Sequence, residues 1–294
     1  MIIQSRIKTM QNTIVDLLKQ YSSRRRRPDG STYQALLLAD ELKIANELNL
    51  GTKTVQIEAL RHNIIPERYS RNQRSLSNED QIKLLQAHVG IVGQGGLGGT
   101  VTEILARIGI GRLTLVDGDV FEESNLNRQL LSSTGNLGMQ KVEAARERVA
   151  AINPAIEVSV VSKFLTDDNA EKILKGCTVA VDCLDSIPSR FSLEKGCRSL
   201  DIPLVYAAIG GTAGQATVIF PGDAGLRQIY GDPQKVPAKG AETRWGTLPY
   251  AAMLMAAIEC AETVTLLCRK TSQLHKTLLI VNTGDHSCEK ISWT

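Results

Sequence analysis

Between residues 89 and 98 the chain reads Val89-Gly90-Ile91-Val92-Gly93-Gln94-Gly95-Gly96-Leu97-Gly98, an apolar β-branched run that opens into a GxGxxG pattern. Backbone without side chains lets phosphate oxygens approach closely. A helix that starts there adds unpaired N–H groups and the positive end of its dipole. Gly93, Gly95, Gly96 and Gly98 are therefore candidate phosphate-binding positions. The same pattern also serves as a ligand-free strand-to-helix turn, so other residues must decide. Asp117 closes the next β-rich run, nineteen positions after Gly98 (117 − 98), where a carboxylate can accept from a ribose hydroxyl. To this point a nicotinamide-dependent oxidoreductase fits equally well.

The residues that follow favour a triphosphate. Arg128 lies in Glu123-Ser124-Asn125-Leu126-Asn127-Arg128-Gln129, close behind the second strand. A pyrophosphate already cradled by backbone amides has no need of it. A triphosphate carries more charge to neutralise and has a leaving pyrophosphate to hold. Lys141, in Gly138-Met139-Gln140-Lys141-Val142, brings a second cation near a helix start. Asp185, in Val181-Asp182-Cys183-Leu184-Asp185-Ser186, ends a further parallel strand at the same edge, where a carboxylate can hold Mg²⁺ against phosphate oxygens. Each of the three could be an ordinary surface charge; their expected convergence on one edge sets them apart.

Composition narrows the field. In 294 residues, 43% hydrophobic and 22% charged, a core of normal size is available. A net charge of +3 and 4% aromatics argue against nucleic acid as the main partner. The six cysteines, Cys177, Cys183, Cys197, Cys260, Cys268 and Cys288, form no CxxC pair and no disulfide-framework spacing. The opening Met1–Gln20 stretch lacks a long apolar segment, and no run of about 18 uninterrupted apolar residues suggests a membrane span. A reducing, cytoplasmic setting is expected.

The elements that must position these residues follow from periodicity. From Ser77 on, short β-rich runs (His88–Val92, Arg112–Val116, Ile156–Val161, Thr178–Val181, Leu204–Ala207) alternate with helical ones (Gly98–Ile108, Asn136–Ile152, Asp168–Lys175, Pro188–Leu200). That alternation predicts an α/β fold: a doubly wound, Rossmann-like, mostly parallel sheet whose strand C-termini share one edge. Beyond it, strands at Gln215–Phe220 and Leu278–Val281 flank an apolar helix over Leu248–Cys268. Residues 1–75 read as a small helical appendage before a nucleotide-binding domain at 76–294. Amphipathic stretches at Ile7–Tyr21, Tyr33–Leu48 and Thr54–Arg61 surround the Arg24–Arg27 run, read as a solvated loop, and the turn Pro28-Asp29-Gly30. Asp40–Leu60 could also imitate a helix-turn-helix, a DNA-reading alternative.

The blocks GQGGLGG, LVDGDVFEESNLNRQ, LGMQKVEAARERVAAINP and DCLDS resemble the signature of the ThiF/MoeB/HesA family, the bacterial relatives of ubiquitin-activating enzymes. The resemblance spans roughly Arg68 to Leu267. It implies an ATP-dependent adenylyltransferase acting on the C-terminal Gly-Gly carboxylate of a small ubiquitin-like sulfur-carrier protein, with Mg²⁺. A sulfide or persulfide donor then attacks the adenylate. It places Gly96 at the phosphates and Asp117 at the ribose, with Asn125, Arg128 and Lys141 on the phosphates, Asp185 on the magnesium side, and Asp119 in support. Arg68-Tyr69-Ser70-Arg71-Asn72 resembles the family's opening RYSRQ, whose last arginine reaches the partner subunit's ATP. Arg71 takes that role here, and a homodimer is implied.

The chain also departs from the family pattern. Many members carry two CxxC pairs for a structural zinc and a cysteine in the crossover loop, but Pro221–Pro249 contains none. No structural zinc and no loop thiol are expected, and Cys183, Cys260 and Cys268 are read as packing residues. Ser186 stands where many relatives have asparagine, which puts one adenine-side or metal-side contact in doubt. The long leader resembles a subgroup associated with tungsten- or molybdenum-dependent aldehyde oxidoreductase gene clusters. Two other readings compete: an oxidoreductase, disfavoured by SNLNRQ, and a non-catalytic scaffold, disfavoured by retention of Arg128, Lys141 and Asp185.

Overall fold

The computed structural model describes residues 13–293. The chain divides into two compact units, Met1–Gln86 and Ala87–Thr294.

The larger unit is built on an eight-stranded sheet in the order β11-β10-β9-β8-β7-β4-β5-β6. Strands β4 (His88–Val92), β5 (Arg112–Val116), β6 (Glu157–Val161), β7 (Val179–Asp182) and β8 (Leu204–Gly210) run parallel. β9 (Ala213–Ile219), β10 (Thr277–Asn282) and β11 (Ser287–Ser292) extend the sheet antiparallel. All five residues of β4 are buried, as befits a central strand covered on both sides. Successive side chains of β4 point to opposite faces. Val92 belongs to the core cluster formed with Leu174 and Leu193, on α7 (Ala170–Leu174) and α8 (Ile187–Ser199). Val89 and Ile91 therefore face the other way. There α5 (Gly96–Ile108), α6 (Lys141–Ile152) and α11 (Pro249–Arg269) complete the cover, α11 packing on α5, β8 and β9. The sheet is doubly wound, as the alternating pattern predicts. Strands β4 and β5 match their expected bounds; β11, polar and exposed along most of its length, carries no apolar alternation that would reveal it.

Among the described residues α11 is the one helix long and apolar enough to cross a membrane. It is also the helix that carries Ala252, Met255, Ala256, Cys260 and Leu266 into the core. Glu259 lies among them, fully buried.

The smaller unit departs from the expected helical appendage by carrying a three-stranded sheet. A first helix, α1, covers residues 13–21, with the stretch 7–12 of the expected helix outside the described residues. It is followed by β1 (Ser23–Arg26), β2 (Thr32–Leu36), α2 (Leu38–Leu48), α3 (Thr52–Arg61), β3 (Ile64–Pro66) and α4 (Asn78–Gln86). Arg24 to Arg26 are thus strand, paired antiparallel with β2, with Arg27 just beyond it. The turn explains it. Gly30 adopts φ +87°, Asp29 Oδ1 accepts from Ser31 N–H at 3.0 Å, and Arg27 N–H reaches Ser31 O at 2.7 Å, which closes a hairpin. The expected helix from Tyr33 splits for the same reason: Thr32–Leu36 joins the hairpin, and Leu37, extended at ψ 154°, starts α2. The division between units falls after Gln86, because α4 packs on α3. In α3 only Thr54 and Arg61 are exposed, a poor surface for reading a DNA groove.

Neither carboxylate oxygen of Glu259 has a hydrogen-bond partner among the described residues. Burial, reinforced by the nearby Asp182, pushes its pKa well above 4.5, with Arg190 only partly opposing. The folded chain therefore holds the Glu259 proton more tightly than the unfolded chain does, which costs stability as the pH rises above 4.5. Replacing Glu259→Gln is expected to raise the thermal midpoint at pH near 7, with the gain shrinking as the pH falls toward 4.5. A loss of stability that is the same at both pH values would show instead that Glu259 is ionised and paired.

Candidate active site

Strand β4 delivers the glycine run. Gly93 turns the chain at φ +96°, and a Cβ there would lie 2.4 Å from Cys183 O. A Cβ on Gly98 would lie 1.8 Å from Gly93 O. Packing alone demands glycine at both positions. Gly95 and Gly96 are different: a Cβ would come no nearer than 3.6 Å and 3.5 Å, to Gln129 and Ala252. Both have negative φ, since neither is among the positive-φ glycines. The fold does not need glycine there, so the open backbone is left to whatever approaches it. Gly95 is the N-cap of α5 and the first helical bond runs from Gly99 N–H to Gly95 O, so the amides before it have no helical partner. The arrangement fits an oligophosphate.

Asp117 joins this loop to the end of β5. Its Oδ2 accepts from Gln94 N–H at 2.6 Å and its Oδ1 from Asp119 N–H at 2.8 Å. Burial raises its pKa, while those two amides and Lys141 pull it back. Each oxygen keeps a second lone pair with which to accept a hydroxyl. Asp119 in turn accepts from Lys141 Nζ at 3.0 Å, and Lys141 N–H is bonded to Asp119 O. Lys141, at the first position of α6, is buried and paired, not a free cation. Arg128 is half-buried and steered by Ser124 O (3.0 Å) and Asn127 Oδ1 (2.8 Å).

Asp185 does not end β7; it lies in the loop beyond Asp182, exposed and paired with Lys239. That loop is held from beneath. Asp182 Oδ1 accepts from Leu184 N–H at 3.0 Å, and the buried Arg190 donates to Asp182 (3.3 Å), to Ala207 O (2.6 Å) and to Leu184 O. Ser186 is the N-cap of α8, its hydroxyl accepting from Ser189 N–H at 3.5 Å. Asparagine and serine are both good caps, so the departure from the family at this position costs α8 little.

Gly93, Gly95, Gly96, Asp117, Asp119, Arg128, Lys141 and Asp185 line one recess. Gly98 lies beneath it and Asn125 outside its lining; Asn125 forms a capping box with Glu122, its Oδ1 accepting Glu122 N–H at 3.1 Å. Arg71 belongs to the other unit, where it is exposed. Sequence reasoning missed Arg190, Lys163 and Phe164 in the lining. Phe164 is 65% exposed, and a Cβ on Gly118 would fall 2.9 Å from its ring, so it stands over the segment after Asp117. Its place just past β6, beside β5, was the available signal. Arg190 gave none, being one basic residue on an amphipathic helix. Cys183 is buried and burial pushes its thiol well above the usual range, which suits packing and not nucleophilic use. No group of three or more potential metal ligands occurs among the described residues.

A model of the ThiF family matches residues 69–292. The chain belongs to the ThiF family. The SAMP-activating enzyme E1 of Haloferax volcanii is 33% identical over 77% of this chain and 85% of its own. The molybdopterin-synthase adenylyltransferase of Salmonella typhimurium is 40% identical over 51% of this chain and 61% of its own. The Escherichia coli protein MccB, solved with MccA-N7isoASN, superposes with a TM-score of 0.66 at 23% identity, covering 76% of this chain and 72% of that one. At that identity the likeness speaks for the fold. The enzyme class shared by this ThiF-family chain and its named relatives is adenylyltransferase.

The two kinds of glycine predict different outcomes. Gly98→Ala should unfold the loop, lowering thermal stability by roughly 3 kcal/mol or more. Gly96→Ala should leave stability within about 1 kcal/mol of the parent while weakening ATP binding at least about tenfold. Calorimetric titration with ATP beside thermal melts separates the two, and unchanged ATP affinity in Gly96→Ala would remove the phosphate assignment.

Proposed function

We propose that the enzyme adenylates the C-terminal Gly-Gly carboxylate of a small ubiquitin-like sulfur-carrier protein of the ThiS/MoaD kind. The observation that supports this reading best is the recess in which an open glycine backbone meets Asp117, Arg128, Lys141 and Asp185. The phosphates lie on Gly95 and Gly96 at the start of α5, the ribose on Asp117, and the base beside Phe164. Asn125 acts from behind as the cap that shapes the Arg128 loop.

The carrier carboxylate attacks the α-phosphorus. A new P–O bond forms, the bond to the β-phosphate oxygen breaks, and pyrophosphate leaves with its electron pair. No group on the enzyme becomes covalently attached. Arg128 and Lys141 neutralise the phosphates and hold the leaving group, so catalysis rests on positioning and charge stabilisation. Asp185 would hold Mg²⁺ against phosphate oxygens, one carboxylate with substrate phosphates being a usual set for this ion, and the ion would supply further charge neutralisation. For that, Asp185 must leave Lys239. The carrier adenylate is then open to sulfide or a persulfide from a separate donor. Arg71 completes the site of a second copy of the chain in a cytoplasmic homodimer.

Isotope exchange between pyrophosphate and ATP is expected to require the carrier. Arg128→Ala and Asp185→Ala should each lower it at least about tenfold, roughly 1.4 kcal/mol of barrier. Exchange that survives both substitutions unchanged would remove these residues from the site. Mixing Arg71→Ala protein with Asp185→Ala protein should restore part of the activity, because one mixed site is intact. Absence of recovery despite measured subunit exchange would defeat the role of Arg71 across the dimer.

A further inference from the structure

The smaller unit gathers an arginine cluster that the adenylation reading leaves mostly unused. A recess of about 430 Å³ lies between the β1–β2 hairpin and the segment after β3, lined among others by Arg25, Arg27, Tyr33, Glu67, Arg71 and Arg74. Like charges so close repel, and few of them are compensated. Arg25 lies 3.6 Å from Glu67, Arg74 pairs with Asp29, and Arg27 stacks over Tyr33 at 4.3 Å. Arg71 makes no ion pair or hydrogen bond among the described residues. Guanidinium groups arranged this way present forked donors to carboxylate or phosphate.

A second feature lies beside it. β1 is an edge strand of the sheet β1-β2-β3, and all four of its residues are exposed. The hairpin bond from Arg27 N–H to Ser31 O fixes the ladder, so Arg25, opposite Tyr33, turns its backbone groups toward β2. By alternation, the N–H and C=O groups of Arg24 and Arg26 face outward. They have no strand partner among the described residues. An extended chain can add there as another strand. We propose that the β1 edge and the arginine recess together dock an extended acidic segment of a partner protein. Its backbone pairs with Arg24 and Arg26, and its alternate carboxylates reach Arg25, Arg27 and Arg74. Charge complementarity selects an acidic occupant. The backbone edge, which a nucleic acid cannot pair with as a strand, selects a polypeptide. The docking does not depend on the adenylation chemistry.

The test uses the full chain and a fluorescein-labelled peptide of about eight residues that alternates Glu and Val. Fluorescence anisotropy at about 0.15 M salt should show saturable binding that weakens as salt rises. The double variant Arg25→Glu/Arg27→Glu should lose at least about tenfold in affinity. The same peptide with alternate amides N-methylated, its charges intact, should also bind at least about tenfold less well. Circular dichroism of the variant must match the parent, and Arg74→Glu serves as the substitute should the double variant misfold. Absence of saturable binding, or binding indifferent to both the arginines and N-methylation, overturns the proposal. Tighter, arginine-dependent binding of a single-stranded oligonucleotide overturns it in favour of a nucleic-acid site.

Discussion

The carboxylate of Asp117 ties the site together. One oxygen takes the Gln94 amide from the glycine loop and the other takes the Asp119 amide from the segment after β5. Two loops that leave neighbouring parallel strands are thereby fixed against each other, and the side chain that fixes them is the one proposed to take the ribose. Asp119 passes the constraint on by pairing with Lys141, which starts α6. On the proposed reading, the hydrogen bonds that fix the loops also set where a nucleotide would lie. Burial works against the charge on Asp117 and the amide donors work for it.

Three of the charged residues that line the recess are already partnered. Lys141 has Asp119, Asp185 has Lys239, and Arg128 rests on Ser124 O and Asn127. Pairs that exposed cost only about 0–1 kcal/mol to open, so exchange of Lys239 for another cation at Asp185 is cheap. The deeper pair, Arg190 with Asp182, is of another kind: both are buried, and losing one partner strands a charge. It underpins the loop that carries Asp185 and does not have to move.

The parallel half of the sheet was legible because buried central strands write continuous β-branched runs between amphipathic helices, as at His88–Val92 and Arg112–Val116. Part of the recess was legible because Gly93 and Asp117 directly follow the ends of β4 and β5, whose shared edge the topology fixes. Three things were not. The Arg24–Arg27 run looked like a loop because its charges hide a strand made by the turn at Pro28–Gly30. Asp185 looked like a strand terminus because no local pattern distinguishes a strand's last residue from the loop beyond it. Arg190 and Glu259 were invisible because a buried charge within a helix reads like any polar position until its neighbours are known.

Under the proposed function the carrier's own C-terminal carboxylate becomes joined to AMP. The most direct measurement is the intact mass of a Gly-Gly-ended ubiquitin-like carrier after brief incubation with this enzyme and magnesium ATP. A carrier heavier by one AMP is expected, and no such species when the two terminal glycines are deleted. An unmodified carrier in the presence of folded, ATP-binding enzyme would contradict it, as would AMP found on any group other than that carboxylate.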